Sequence, residues 1–226
     1  MTSAPDIRIL LFIAIVFLLA GCITVSEFDS VVRPKVEAEM VTKTTINTNY
    51  LILKTDKLLA QTSPVNIKKL SSFMVPLGFF WGWERSYSCD INSQYFSNIF
   101  AITLQQKARE LELKKCLGNK KIEVTIEEVP KGFLYSNTGT VYFFMVVYFY
   151  DFNEVIYPQQ QNFKITYRLM QGDNELKKDT FNYQFKEPVK NSVHMSVDFL
   201  DFYMQDLRTN FETKSSEFIE RIIEEL

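Results

Sequence analysis

Hydrophobic and polar positions alternate along much of the chain and switch to helical spacing at two places. Residues 121–129 alternate with period two, Ile122, Val124 and Ile126 against Glu123, Thr125 and Glu127, which predicts a half-buried strand. Phe163, Ile165, Tyr167 and Leu169 set a second such strand. Gly172, Asp173 and Asn174 predict a turn, and Phe181, Tyr183 and Phe185 a return strand that Pro188 ends. Residues 50–54 suit a short first strand and residues 84–89 another, while residues 56–70 are ambiguous and broken by Pro64. Ser136, Asn137, Thr138 and Gly139 read as a hairpin signal between residues 133–135 and the run 141–152. That run is apolar on both faces, as a central strand covered on both sides would be.

Helical spacing begins after Asn92 or Ser93, either a suitable N-cap. Phe96, Phe100, Leu104, Ala108 and Leu111 form one stripe, and Gly118 and Asn119 supply the stop. A second, longer stripe covers residues 196–226 through Leu200, Tyr203, Met204, Leu207, Phe211, Phe218, Ile222 and Leu226. Lys214, Ser215 and Ser216 predict a kink or break in it. The expected fold is therefore α+β: an antiparallel sheet of about five or six strands packed by two helices, including a long C-terminal one.

Residues 73–83 fit neither period. Pro76, Gly78 and Gly82 exclude a regular helix, and the rest of the stretch is apolar or aromatic. It reads either as a core-filling turn or as an aromatic loop that touches lipid or a partner. The second reading makes Phe79, Phe80, Trp81 and Trp83 candidate contacts.

Composition narrows the chemistry. With 46% hydrophobic residues the chain can build a core, and its net charge of −2 argues against a nucleic-acid partner. The single histidine, His194, reads as a surface residue at a helix entry, and seven glycines leave little for phosphate-binding loops. P-loop, HExxH, GxSxG and CxxC motifs are absent. Glu123 and Glu127 share the polar face of one strand and read as a solvated edge. No catalytic residue, metal site or cofactor is expected, and the chain reads as a non-enzyme.

The N-terminus carries an address. Arg8 is followed by an unbroken apolar run, residues 9–20, too short for a span and right for an export signal. Leu19, Ala20, Gly21 and Cys22 then resemble the lipobox of bacterial lipoproteins. An uncleaved N-terminal anchor is the alternative. The resemblance implies cleavage between Gly21 and Cys22 and acyl chains on Cys22, which would be the chain's membrane partner. The organisation is then a signal peptide over residues 1–21, a lipidated cysteine and polar tether over 22–46, and one α+β domain over 47–226 on the periplasmic side or cell surface. Ile23 stands where an Asp would resemble an inner-membrane retention signal, which leans towards the outer membrane. Of the remaining cysteines, Cys89 and Cys116 flank opposite ends of a helix roughly 33 Å long, so both are expected as buried free thiols rather than a disulfide.

The order of lipobox, tether, strand, helix, antiparallel strands and terminal helix resembles the small auxiliary lipoproteins of bacterial envelope transport and assembly machines. The resemblance implies a lipid-anchored, non-catalytic accessory protein that docks an envelope complex. The aromatic surplus supports an alternative, a binder of an apolar ligand such as a lipid held between sheet and terminal helix. An envelope hydrolase is a third reading.

Overall fold

A computed structural model describes residues 24–41, 45–58, 61–77, 80–144, 147–159, 162–184, 190–192 and 197–225; for residues 74–77, 143, 144, 147, 148 and 190–192 it describes the backbone alone. Gly21, Cys22, Phe79 and His194 lie outside the described residues, as do Phe185 and Pro188.

The chain is α+β, with the strands divided between two sheets rather than gathered in one. The elements run α1 (Val25–Met40), β1 (Leu51–Lys54), β2 (Val65–Leu77), β3 (Phe80–Ile91), α2 (Ser93–Glu110), α3 (Leu113–Leu117), β4 (Lys121–Glu128), β5 (Gly132–Phe144), β6 (Val147–Gln159), β7 (Asn162–Gln171), β8 (Asn174–Gln184), β9 (Lys190–Ser192) and α4 (Val197–Glu224). Among the described residues one sheet has the order β1-β4-β7-β8 and the other β2-β3-β5-β6-β9. Every pairing is antiparallel except β1 with β4, which is parallel. The expectation of a single sheet of five or six strands is corrected on both counts. Period two shows that residues are strands, but it does not say which strands share a ladder.

The segment expected to be a tether is a helix that belongs to the core. Thr24 and Glu27 form a reciprocal capping box, with Glu27 N–H donating to Thr24 Oγ1 at 3.2 Å and Thr24 N–H donating to Glu27 Oε2 at 2.7 Å. Phe28, Val32 and Val36 recur every four residues and are fully buried. Burying three such side chains contributes about 1.5–3 kcal/mol each, enough to hold a helix that contains Pro34. The ring of Phe28 lies 5.7 Å from Tyr87, 5.8 Å from Phe133 and 5.4 Å from Tyr135, against β3 and β5.

Asn92 caps α2 as expected, its Oδ1 accepting from Gln94 N–H at 2.9 Å, and its amide also donates to the carbonyls of Gln61 and Ser63. The stripe Phe96, Phe100, Leu104 and Ala108 is buried; Leu111 is not. Glu112 takes a left-handed conformation (φ 49°) that breaks the helix, so Leu113 and Leu117 of α3 turn inward instead. Cys89 and Cys116 are both free, as the helix between them requires. Cys89 is buried, but Cys116 is exposed, a correction that follows from the same break.

Helix α4 is continuous through Lys214, Ser215 and Ser216. Ser215 is fully buried because its hydroxyl donates to the carbonyl of Phe211 at 2.7 Å, so no kink is needed to solvate it. The helix ties the two sheets together. Tyr203 meets Phe133 of β5 at 4.8 Å, Phe211 meets Phe163 of β7 at 4.9 Å, and Phe218 meets Phe181 of β8 at 4.8 Å.

Candidate functional site

The residues expected to form a hairpin at 136–139 continue as the straight strand β5, and the run 141–152 is not one central strand. It contains the ends of both β5 and β6, paired down to Phe144 opposite Val147. Its exposure also departs from the expectation of cover on both sides: Phe149 is 64% and Tyr150 71% exposed. Within the stretch 73–83, residues 73–77 and 80–83 are strand rather than loop or core turn. They are the far end of the β2–β3 hairpin, paired down to Leu77 opposite Phe80. Phe80 in turn pairs with Tyr142. The two long hairpins therefore lie side by side and end at the same level, as a four-stranded aromatic extension that leaves the helices behind.

Directly opposed residues in a ladder point to the same face, so the registers assign the two faces. Tyr87, Tyr135 and Ile156 share the face that packs on the helices, and further out the same face carries Trp83, Trp81, Val141, Tyr150 and Phe152. The second face carries Ser86, Ser136, Glu84, Thr138, Asn153, Gly82, Thr140 and Asp151. At the outermost level this second face also turns aromatic, with Phe80, Tyr142 and Phe149; the rings of Phe80 and Tyr142 lie 5.1 Å apart. A shallow trough of about 340 Å³ runs along it, with Phe73, Glu84, Thr138 and Asp151 in its wall.

A buried polar knot marks the boundary between core and extension on the first face. Trp83 Nε1 donates to Asn137 Oδ1 at 2.9 Å, the Asn137 amide donates to the Tyr135 hydroxyl at 3.3 Å and to Glu154 Oε1 at 3.4 Å, and Tyr135 donates to Glu154. Asn137 and Glu154 stand directly opposite each other on β5 and β6 and are almost wholly buried. Glu84, by contrast, accepts from Ser71 Oγ across the second face.

The start of α1 lies on the extension's side of the molecule. Its first turn packs on Tyr87 and Tyr135, and Glu27 feels the charge of Arg85. Its other end lies beside α2, where the Glu39 carbonyl accepts from the Asn98 amide at 2.7 Å. The helix thus runs alongside β3, N-terminus towards the aromatic tips.

Of the candidate contacts, Phe80, Trp81 and Trp83 are brought onto one strand. Trp83 is only 6% exposed, packed on Phe152 at 6.4 Å, so it supports the extension rather than presenting itself. Family models, curated proteins and solved structures gave no match to the chain. Among the described residues, no helix is long and apolar enough to cross a membrane, and no group of three His, Cys, Asp or Glu could hold a metal ion.

Glu123 and Glu127 are not a solvated edge, because β4 lies between β1 and β7. Glu123 accepts from Lys54 at 2.9 Å and Arg168 at 2.8 Å and pairs with Lys121 at 3.2 Å. Lys54 foremost, then Lys121, hold its carboxyl down at about 2. Lys57 and then Lys164 do the same for Glu127, also to about 2, with Thr166 donating at 3.2 Å. Each carboxylate is locked in its charged form by a ring of cations, which is the opposite of the raised pKa a general acid needs.

The sequence reading missed Asn137, Glu154 and the β5–β6 hairpin. Residues 145 and 146 are Met and Val, neither a turn former, so the chain carries no local mark of the reversal.

Proposed function

We propose that the chain is a lipid-anchored, non-catalytic accessory or assembly lipoprotein of the bacterial cell envelope, and that its aromatic extension enters the bilayer beside its own anchor. The observation that carries this reading is the shared direction of the α1 N-terminus and the two hairpin ends. Cys22 precedes Thr24 by two residues, so a lipid on it sits at most about 8 Å of backbone from the start of α1. From Tyr87 to Phe80 the strand advances roughly 23 Å, whereas α1 gains only about 6 Å from Phe28 back to Thr24. The tips therefore reach roughly 9–17 Å past the lipidated residue, a depth comparable with one hydrocarbon leaflet of about 15 Å. Exposed rings of Tyr142, Phe149 and Tyr150 suit an interfacial and apolar setting. Paired rather than loop backbone keeps most of the extension's polar groups satisfied there. The ion-locked Glu123 and Glu127 support a structural rather than a catalytic role for the acidic strand.

The test uses the two tryptophans, Trp81 and Trp83. Wild type should incorporate labelled fatty acid and Cys22→Ser should not. In vesicles of lipids brominated along the acyl chain, Trp83→Phe should retain strong quenching from Trp81. A chain without label, or an unquenched Trp81, would overturn the reading.

A further inference from the structure

The trough on the second face of the extension is acidic, and no Lys or Arg is among the described residues that line it. The sequence around it explains why. Residues 70–83 contain no charged side chain, and residues 132–163 contain no Lys or Arg. The charges of the two hairpins near the trough are Glu84, Arg85, Asp151 and Glu154. Arg85 and Glu154 belong to the first face, where Arg85 acts on Glu27 and Glu154 closes the buried knot. Glu84 and Asp151 belong to the second face and line the trough together.

That face is mixed in character. Its outermost row is aromatic, with Phe80, Tyr142 and Phe149. The next row holds Gly82, Thr140 and Asp151, and the third Phe73, Glu84, Thr138 and Asn153. Gly82 leaves a gap in the second row, and the Phe80 ring leans back over it: a Cβ built there would meet that ring at 3.2 Å. Phe73, 51% exposed, stands directly opposite Glu84. The two carboxylates thus share one trough with two aromatic rings. An organic ammonium uses both features, pairing with the carboxylates and lying against ring faces within about 6 Å. A metal ion would need more oxygen ligands than two carboxylates supply, and the rings offer it none.

Depth says where such a cation comes from. At about 3.3 Å per residue, the Asp151 row lies roughly 7 Å and the Glu84 row roughly 13 Å behind the tips. With the tips roughly 9–17 Å past the lipidated residue, Asp151 lies about 2–10 Å past it and Glu84 within about 4 Å of it. The trough therefore sits among lipid headgroups while the tips are in hydrocarbon. Phosphates at that level repel carboxylates, so a headgroup lodged there has to bring positive charge.

We propose that the trough binds the primary ammonium of a phosphatidylethanolamine-type headgroup. Its three N–H donors are shared between Glu84 and Asp151, and its charge lies against the rings of Phe73 and Phe80. Thr138, Thr140 and Asn153 supply donors for the phosphate of the same headgroup. The proposal rests on the bilayer contact argued above and names the lipid which that contact selects.

The test mixes the full lipidated chain, in mild detergent, with equal amounts of phosphatidylethanolamine, its N-acetylated derivative and phosphatidylglycerol, all with the same acyl chains. Native mass spectrometry should show phosphatidylethanolamine retained about tenfold or more over the other two, the worth of one charged hydrogen bond. Glu84→Gln and Asp151→Asn keep the shape and an acceptor oxygen but remove the charge, and each should lower that retention several-fold. Equal retention of the three lipids, or retention that neither variant lowers, would overturn the headgroup site. With Trp81 still quenched by brominated lipid, the bilayer contact would then stand without it. An unquenched Trp81 would remove the bilayer contact itself.

Discussion

The indole of Trp83 lies flat across Gly139 on the neighbouring strand: a Cβ built at 139 would come within 2.0 Å of Cζ2 and 2.5 Å of Cε2. The missing side chain lets the ring seat against the β5 backbone and reach Asn137. Gly139→Ala should therefore lift the indole off the strand and loosen its bond to Asn137. We expect a loss of about 1–3 kcal/mol, the usual cost of overpacking, read as a lower urea midpoint in detergent and a red-shifted tryptophan emission. An unchanged midpoint would show that the ring moves aside freely.

The Glu123 carboxyl sits at about 2, below its ordinary value near 4.5, held there by Lys54 first. A depressed folded-state pKa contributes stability that is complete above the unfolded value and drains away as pH falls towards the folded one. Unfolding midpoints of the wild type should therefore be flat near neutral pH and fall between about pH 4.5 and 2. Glu123→Gln should be less stable at pH 7 and should flatten part of that acid slope. Glu127, held down by Lys57 and Lys164, supplies another part, so the slope should lessen further in the double variant.

Phe28 is wholly buried among Tyr87, Phe133 and Tyr135, whereas Val25 on the same helix is exposed. Phe28→Ala should cost about 3–5 kcal/mol and Val25→Ala well under 1. Thermal or urea melts of the two variants separate a core helix from a tether, since a tether would leave both near zero.

Thiol counting gives a fourth check. Cys116 is exposed and Cys89 is buried, where removal from water pushes its thiol well above the ordinary range. An aromatic disulfide reagent should label one thiol quickly in the native chain and two in denaturant. A third thiol in denaturant would mean that Cys22 is unmodified.

Much of this architecture is written in local sequence, and the failures share a cause. The cap at Asn92, the strand at Lys121–Glu128, the turn at Gly172 and the terminal helix were all marked by residues acting on their immediate neighbours. What local signals could not carry was partnership. The polar surface of α1 and its Pro34 hide three buried positions that matter only once β3 and β5 stand beside them. Ser136, Asn137, Thr138 and Gly139 look like a turn because small and polar residues make turns. Here Asn137 is needed for the buried knot and Gly139 for Trp83. Aromatic content flagged the stretch 73–83, but only the ladder shows that it shares a level with Tyr142, Phe149 and Tyr150.

The clasp made by α4 carries a consequence for how the molecule comes into being. Tyr203, Phe211 and Phe218 fill gaps over β5, β7 and β8, and in the chain they follow every one of those strands. Neither sheet is sealed until the helix arrives, so a growing chain stays pliable through its first two hundred residues or so and sets late.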